Sequence, residues 1–149
     1  MSLHAIATLN DLIETLKDGE EGFRAASGDV QSAELRRLFE EFSEQRSRFA
    51  GELQELVRGF GEMNPVNTSS AVGALHRGWI NLKAVLTSRD DHAILVECER
   101  GEDSAIAEYR HALEAELPAN ARAVVLRQAA EVQAAHDQVR DLRDATASE

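Results

Sequence analysis

Apolar residues recur every three or four positions in five segments of this chain, and that spacing is typical of amphipathic helices. The first segment carries its apolar stripe at Leu9, Leu12, Ile13, Leu16 and Phe23. The pattern predicts a first helix over about 3–27 and a second over about 30–60. Between them, Gly28 is suited to end one helix and Asp29 to cap the next. We therefore expect an antiparallel hairpin with a tight turn.

Turn-forming residues cluster around Pro65 and interrupt the helical pattern after the second helix. Beyond them the pattern predicts three more helices, over about 69–87, about 90–117 and about 119–145. Ser88 and Asp91 have the spacing of a capping pair at the start of the fourth helix, and Pro118 ends that helix.

The helix lengths indicate how the five segments are arranged. At about 1.5 Å per residue, the third segment spans a little under about 30 Å, which is nearly the length of the other helices. It can therefore return the chain to the opposite end of a bundle. We predict an all-α fold, a ferritin-like antiparallel four-helix bundle with residues 69–87 as a helical crossover. The alternative is an up-down bundle with one kinked helix over about 69–117, which would be too long for its neighbours.

The composition fits a single domain over residues 1–149, because 43% hydrophobic residues can fill one continuous core at this length. The chain has 16 Lys and Arg against 27 Asp and Glu, and its net charge of -11 repels phosphate backbones and anionic lipid headgroups. Nucleic acids and membranes are therefore not expected as partners. The single cysteine cannot form an internal disulfide, and no basic segment followed by an apolar one opens the chain. We expect a cytoplasmic protein.

Four polar side chains share one level of the predicted bundle when residues are counted from the helix ends that meet there. They are Glu20, Glu99, Glu102 and His136. Glu20 lies on the apolar stripe of the first helix, and the other three lie on the fourth and fifth helices. Carboxylates and imidazole from facing helices are suitable ligands for iron or manganese. These four residues are therefore candidate metal ligands.

A simpler hypothesis assigns the same acids to ion pairs, and we favour it over a metal cofactor. A di-metal bundle of the usual type needs two Glu-x-x-His motifs and two further Glu residues. This sequence has no Glu-x-x-His motif, and Gln133-x-x-His136 is the nearest match. Buried acids generally pair with cations, and Arg46 and Arg100 are available. We therefore assign no catalytic residue.

Three other residues receive structural interpretations. Cys98 lies on an inward stripe without a neighbouring Cys or His, so we predict a buried and inert thiol. Trp79 follows two apolar residues at helical spacing, so we predict that it packs in the core. Gly101 lies inside a predicted helix, where glycine costs about 1 kcal/mol relative to alanine. We predict that it marks a close helix approach or a local bulge.

Three runs carry a resemblance to a known family: LNDLIETLKDGEEGFRAAS, LHRGWINLKAVLTSRDDHAILVECERGEDSAIAEYRHAL, and QAAEVQAAHDQVRDLRD near the end. They resemble an uncharacterised bacterial family of ferritin-like four-helix-bundle proteins, mostly from proteobacteria, and the similarity extends over nearly the whole chain. The resemblance implies the fold but no activity, because that family is a domain of unknown function. The missing Glu-x-x-His motifs are a departure from ferritin-like enzymes, and they argue against ferroxidase or catalase chemistry.

Three hypotheses about function follow, in order of preference. The first is a stress-related helical-bundle protein that is non-enzymatic or has no assignable activity, and whose exposed apolar residues support a homodimer. The second is a metal-dependent oxidoreductase or metal-storage bundle that uses the four candidate ligands. The third is an interaction module that docks a partner helix through its crossover segment.

Overall fold

The computed structural model describes residues 3–62, 65–66, 79 and 81–147. All regular structure in these residues is helical, as predicted. The helices are α1 (Leu3–Asp29), α2 (Ala33–Gly59), α3 (Leu82–Ser88), α4 (Asp91–Glu114) and α5 (Ala119–Ala147). None of them is long and apolar enough to cross a membrane in the part of the chain that is described.

The turn between α1 and α2 is one residue longer and begins later than predicted. Gly28 does not end a helix, because α1 continues through Asp29. The N-cap of α2 is Ser32, whose hydroxyl oxygen accepts a hydrogen bond from the backbone N–H of Leu35 at 3.2 Å. The predictions that α2 begins near residue 30 and that Asp29 caps it are therefore wrong. A serine hydroxyl three residues before the N–H it binds replaces that cap.

The ends of α4 also differ from the prediction. Its N-cap is Asp90, whose carboxylate accepts the N–H groups of His92 and Ala93. The predicted capping pair of Ser88 and Asp91 is therefore wrong. α4 ends at Glu114, three residues short of the predicted end, because the backbone is already extended at the next residue as the chain approaches a proline. α5 extends to residue 147, two residues beyond its predicted end.

The four long helices pack in a ring in the order α1, α2, α5, α4. The carboxylate of Asp91 accepts the backbone N–H groups of Gln31 and Ser32 at 2.7 and 3.0 Å, so α4 begins where α1 ends. At the same end, His92 Nδ1 lies 2.9 Å from the hydroxyl of Thr146, which places the end of α5 beside the start of α4. Neighbouring helices are therefore antiparallel, whereas α2 and α4 are parallel and face each other across the ring. This is the helix direction that a crossover connection requires.

The predicted crossover helix over 69–87 is only partly within the described residues. Residues 69–78 and 80 lie outside them. Trp79 and Asn81 are not helical, and the helix begins at Leu82, so the prediction is wrong at these two positions. A physical reason is that the Asn81 N–H donates to the Glu97 carboxylate at 2.6 Å, and this holds the chain in a turn. Trp79 and α3 pack against α1 and α4.

The core consists of two apolar clusters stacked along the bundle. One includes Leu16, Phe49 and Ala105 and lies toward the start of α1. The other includes Phe23 and Trp79 and lies toward the turn between α1 and α2. Trp79 is 7% exposed, which confirms the prediction that it packs in the core. Two buried charged residues, Arg46 and Glu102, lie between the two clusters.

Candidate functional site

Two almost completely buried charged groups form an ion pair between α2 and α4. Arg46 Nη1 and Nη2 donate to Glu102 Oε1 and Oε2 at 2.5 and 2.7 Å. The two side chains are 1% and 0% exposed. Such a two-point bond between a planar guanidinium and a carboxylate fixes both groups in distance and in orientation. It therefore ties the two parallel helices together across the diagonal of the bundle.

Apolar and small residues surround the ion pair. The guanidinium of Arg46 lies 5.3 Å from the centre of the Phe23 ring, within the range of a cation–π contact. On the α1 side, Gly19 faces Arg46, and a Cβ there would lie at ordinary contact distance from the arginine side chain, 3.5 Å. Burial lowers the pKa of Arg46, but the charge and hydrogen bonds of Glu102 outweigh burial and raise the pKa overall. Arg46 therefore stays charged inside the bundle.

Cys98 lies one turn before Glu102 on α4 and is fully buried, as predicted. Burial raises the pKa of its thiol well above the ordinary value, and the negative charges of Glu102 and Glu97 raise it further. The thiolate is the nucleophilic form of cysteine. The surroundings of Cys98 therefore favour the unreactive form, in agreement with the interpretation of Cys98 as an inert thiol.

A second polar network joins α4, α5 and α2 toward the other end. The hydroxyl of Tyr109 donates to Gln128 Oε1 at 2.8 Å. The amide of Gln128 donates in turn to the carbonyl oxygen of Phe49 at 3.2 Å and to Glu52 Oε1 at 3.1 Å. Burial raises the pKa of Tyr109, so its hydroxyl keeps its proton. Because each buried group has a partner, this network holds three helices in register.

His136 lies among acids at the surface between α4 and α5. Its Nε2 is 2.7 Å from Asp103 Oδ1 and 3.9 Å from Glu99 Oε2, and its Nδ1 is 3.0 Å from Asp137 Oδ1. Burial lowers the pKa of His136, but the hydrogen bond with Asp137 and the charge of Asp103 outweigh burial and raise it overall. Arg143 donates to the other oxygen of Glu99. The protonated imidazole is therefore the form that this cluster stabilises.

Glu20 lies in a different part of the molecule, in the groove between α1 and α2. Its carboxylate oxygens pair with Lys17 at 3.2 Å and with Arg24 at 2.6 Å, and the side chain is 12% exposed. Its backbone carbonyl accepts a hydrogen bond from Ser43. The groove around it has a volume of about 300 Å³ and is lined by acids, serines and Arg24. Glu20 therefore faces cations of its own helix.

One family comparison bears on this arrangement. A family model described as a domain of unknown function, DUF2383, matches residues 4–115. This chain belongs to the DUF2383 family. The DUF2383 match spans α1 to α4 and so includes Arg46, Glu102 and Trp79, whereas His136 lies beyond it. No curated protein matches the chain.

The structure of this DUF2383 protein places the four predicted metal ligands in three settings. Both oxygens of Glu102 bind Arg46, Glu20 faces the groove between α1 and α2, and Glu99 and His136 lie together at the surface. Among the described residues, no group of three or more His, Cys, Asp and Glu side chains is arranged to hold a metal ion. The predicted pairing of a candidate acid with Arg46 is confirmed for Glu102.

Two contributors to these sites were missed in the sequence. Asp103 makes the shortest contact with His136. Its position four residues after Glu99 places both acids on one helix face, and this spacing is a signal that sequence analysis could have used. The Tyr109–Gln128 bond was also missed, because the two residues are neighbours only after α4 and α5 pack together.

Proposed function

We propose that this protein is a ferritin-like helical-bundle protein that acts through its surface, by association with itself and with other proteins, and not through a metal centre. The observation that carries the proposal is the buried pair of Arg46 and Glu102. In a di-metal bundle, cations in the core balance the charge of inward-facing carboxylates. Here the guanidinium balances Glu102, so this carboxylate does not need a metal ion for charge balance.

The residues at the centre of the bundle do not fit the usual metal-binding set. A di-metal bundle takes Glu and His ligands from all four helices. At the level of Glu102 this chain has Arg46 on α2 and Gly19 on α1, and neither of these residues offers a ligand for a metal cation. The oxygen atoms of Glu102 are both engaged by Arg46. We therefore derive no oxygen chemistry at this position.

A homodimer is the first form of association that we propose. The net charge of -11 makes two copies repel each other at long range, so a dimer interface requires apolar contact. Leu126 on α5 is 51% exposed, and Leu3 at the start of α1 is 83% exposed. The single cysteine is buried and free, which suits a protein of the reducing cytoplasm. The proposal includes a stress-related role in a bacterial cell.

Two measurements test the proposal. Elemental analysis of untagged protein, purified without chelator and again after anaerobic loading with iron or manganese, is expected to show no stoichiometric metal. Light scattering after size exclusion is expected to give a dimer that Leu126→Glu converts to a monomer. Ala107→Glu, on an exposed part of α4, is the matched control and should leave the dimer intact. A metal bound in a fixed ratio, or a monomer at all concentrations, would count against the corresponding half of the proposal.

A second candidate function is metal binding by the predicted ligands, and its test centres on His136, because His136 and Glu99 are the two predicted ligands that lie as neighbours. Under this candidate, His136→Gln removes bound metal, whereas Glu20→Ala and Glu102→Ala leave it. Loss of metal in either alanine variant, with retention in the His136 variant, would contradict binding at His136. The helix-docking hypothesis stays a prediction, because most of its segment lies outside the described residues.

A further inference from the structure

Trp79 occupies a slot whose two walls are the backbones of α1 and α4. A Cβ atom at Gly22 would lie 2.6 Å from the indole ring, and a Cβ atom at Gly101 would lie 2.3 Å from it. Real Cβ atoms essentially never come so close to another heavy atom, so only glycine fits opposite the ring at both positions. The predicted close approach at Gly101 is therefore an approach of an aromatic ring and not of a helix.

The floor of the slot is aromatic as well. The ring of Phe23 meets the indole at nearly a right angle, with 5.3 Å between centres and 79° between planes. This edge-to-face geometry is favourable for aromatic pairs. Phe23 in turn contacts the guanidinium of Arg46. A flat ring between two glycines and against an aromatic edge is therefore recognised by shape from three sides.

The described residues that follow Trp79 are less buried than its indole ring. We call Trp79 together with Asn81 and α3 the strap. No residue of α3 is fully buried. Leu82 and Leu86 of α3 are partly buried against the core cluster that contains Trp79, and the N–H of Asn81 donates to the buried carboxylate of Glu97 at 2.6 Å. The indole is therefore the main anchor of the strap, because it is the part that is removed from solvent.

We propose that the slot between Gly22 and Gly101 is a binding site for an indole side chain, filled within the chain by Trp79, and that the strap binds there as an internal ligand of the four-helix bundle. The four long helices also contact one another directly, outside their contacts with the strap. The bundle without its own indole should bind the same group when it is supplied from outside. This inference is independent of metal binding and of the dimer.

The test uses the fact that the chain has a single tryptophan. Trp79→Ala has no tryptophan emission, so binding of a synthetic peptide with the sequence of residues 77–90 is seen directly in the emission of the peptide. We expect saturable binding with a blue shift and a rise in melting temperature. Free indole should compete, and a peptide with alanine in place of tryptophan should have no effect. A folded Trp79→Ala chain that shows no saturable binding would refute the proposal.

A matched pair of glycine substitutions locates the binding. In the Trp79→Ala background, Gly101→Ala places a methyl group in the slot and should abolish peptide binding. Gly51→Ala, on α2 with no atom within 4 Å of the added Cβ, should leave it unchanged. Equal binding by the two variants would refute the slot as the site. If Trp79→Ala does not fold, Gly101→Ala alone serves: its Trp79 emission should shift to the red at unchanged helix content, and an unshifted emission would overturn the proposal.

Discussion

Replacing Arg46 with methionine tests the ion pair between α2 and α4. Methionine keeps much of the length of the arginine side chain but leaves the carboxylate of Glu102 buried without a cation. Both side chains are essentially inaccessible to solvent, at 1% and 0% exposure. Breaking such a pair by removing one partner typically costs about 3–5 kcal/mol. For a chain of this size each kcal/mol lowers the melting temperature by roughly 2–4 °C, so we expect a fall of roughly 6–20 °C.

The double variant Arg46→Met with Glu102→Leu distinguishes the free-energy cost of burying an unpaired charge from the cost of lost packing. Because an apolar pair leaves no unpaired charge, we expect the double variant to regain most of the lost stability, to within about 1 kcal/mol of the parent. Arg127→Met is the control, since Arg127 is 48% exposed in its pair with Glu52 and should cost less than about 1 kcal/mol. Urea and thermal unfolding followed by circular dichroism measure all three. A cost below about 1 kcal/mol for Arg46→Met, or a double variant as unstable as the single one, would refute the reasoning.

Three further changes test other parts of the structure. Because the pKa of His136 is raised in the folded state, its contribution to stability is complete below about pH 6.5 and is lost as the pH rises through the folded value. Urea midpoints at low and high pH should therefore differ more in the parent than in His136→Gln. Tyr109→Phe leaves the buried oxygen of Gln128 without its donor and should cost about 1–3 kcal/mol in urea unfolding. Gly51→Ala should stabilise the chain by about 0.5–1 kcal/mol in thermal unfolding, since the added Cβ meets no neighbour.

The existence and direction of the long helices could be predicted because apolar spacing and chain length act over many residues. A stripe of five or more apolar positions can still be recognised when each helix end is misplaced by two residues. The length of the connection after α2 decides between the crossover bundle and the up-down bundle. Helix ends depend on single hydrogen bonds, which composition does not determine. Ser32 and Asp90 cap their helices where Asp29 and Ser88 were expected, because more than one nearby side chain can cap each helix.

The candidate site was predicted in part. Counting from helix ends brought Glu99 and His136 to one level, and the structure has them as neighbours. The same count gives the position of a residue along the bundle axis but not the direction in which its side chain leaves the helix. It therefore also included Glu20, which faces α2 and pairs with cations on α1. The partner of Glu102 was foreseen from the general need of buried acids for cations. The slot for Trp79 was not, because two glycines far apart in sequence form it.

The order of the helices in the ring has a consequence for assembly. Each hairpin, α1 with α2 and α4 with α5, closes through a turn of a few residues, whereas residues 60–90 join opposite ends of the bundle. The molecule therefore corresponds to a complex of two helical hairpins. Because residues 60–90 connect them covalently, each hairpin is present at a high effective concentration around the other. Chains cut between residues 62 and 65 should reassemble from separate halves, with an affinity that reports directly on the contacts between the hairpins. Asp91 would then act between molecules, as the group of one half that binds the turn of the other.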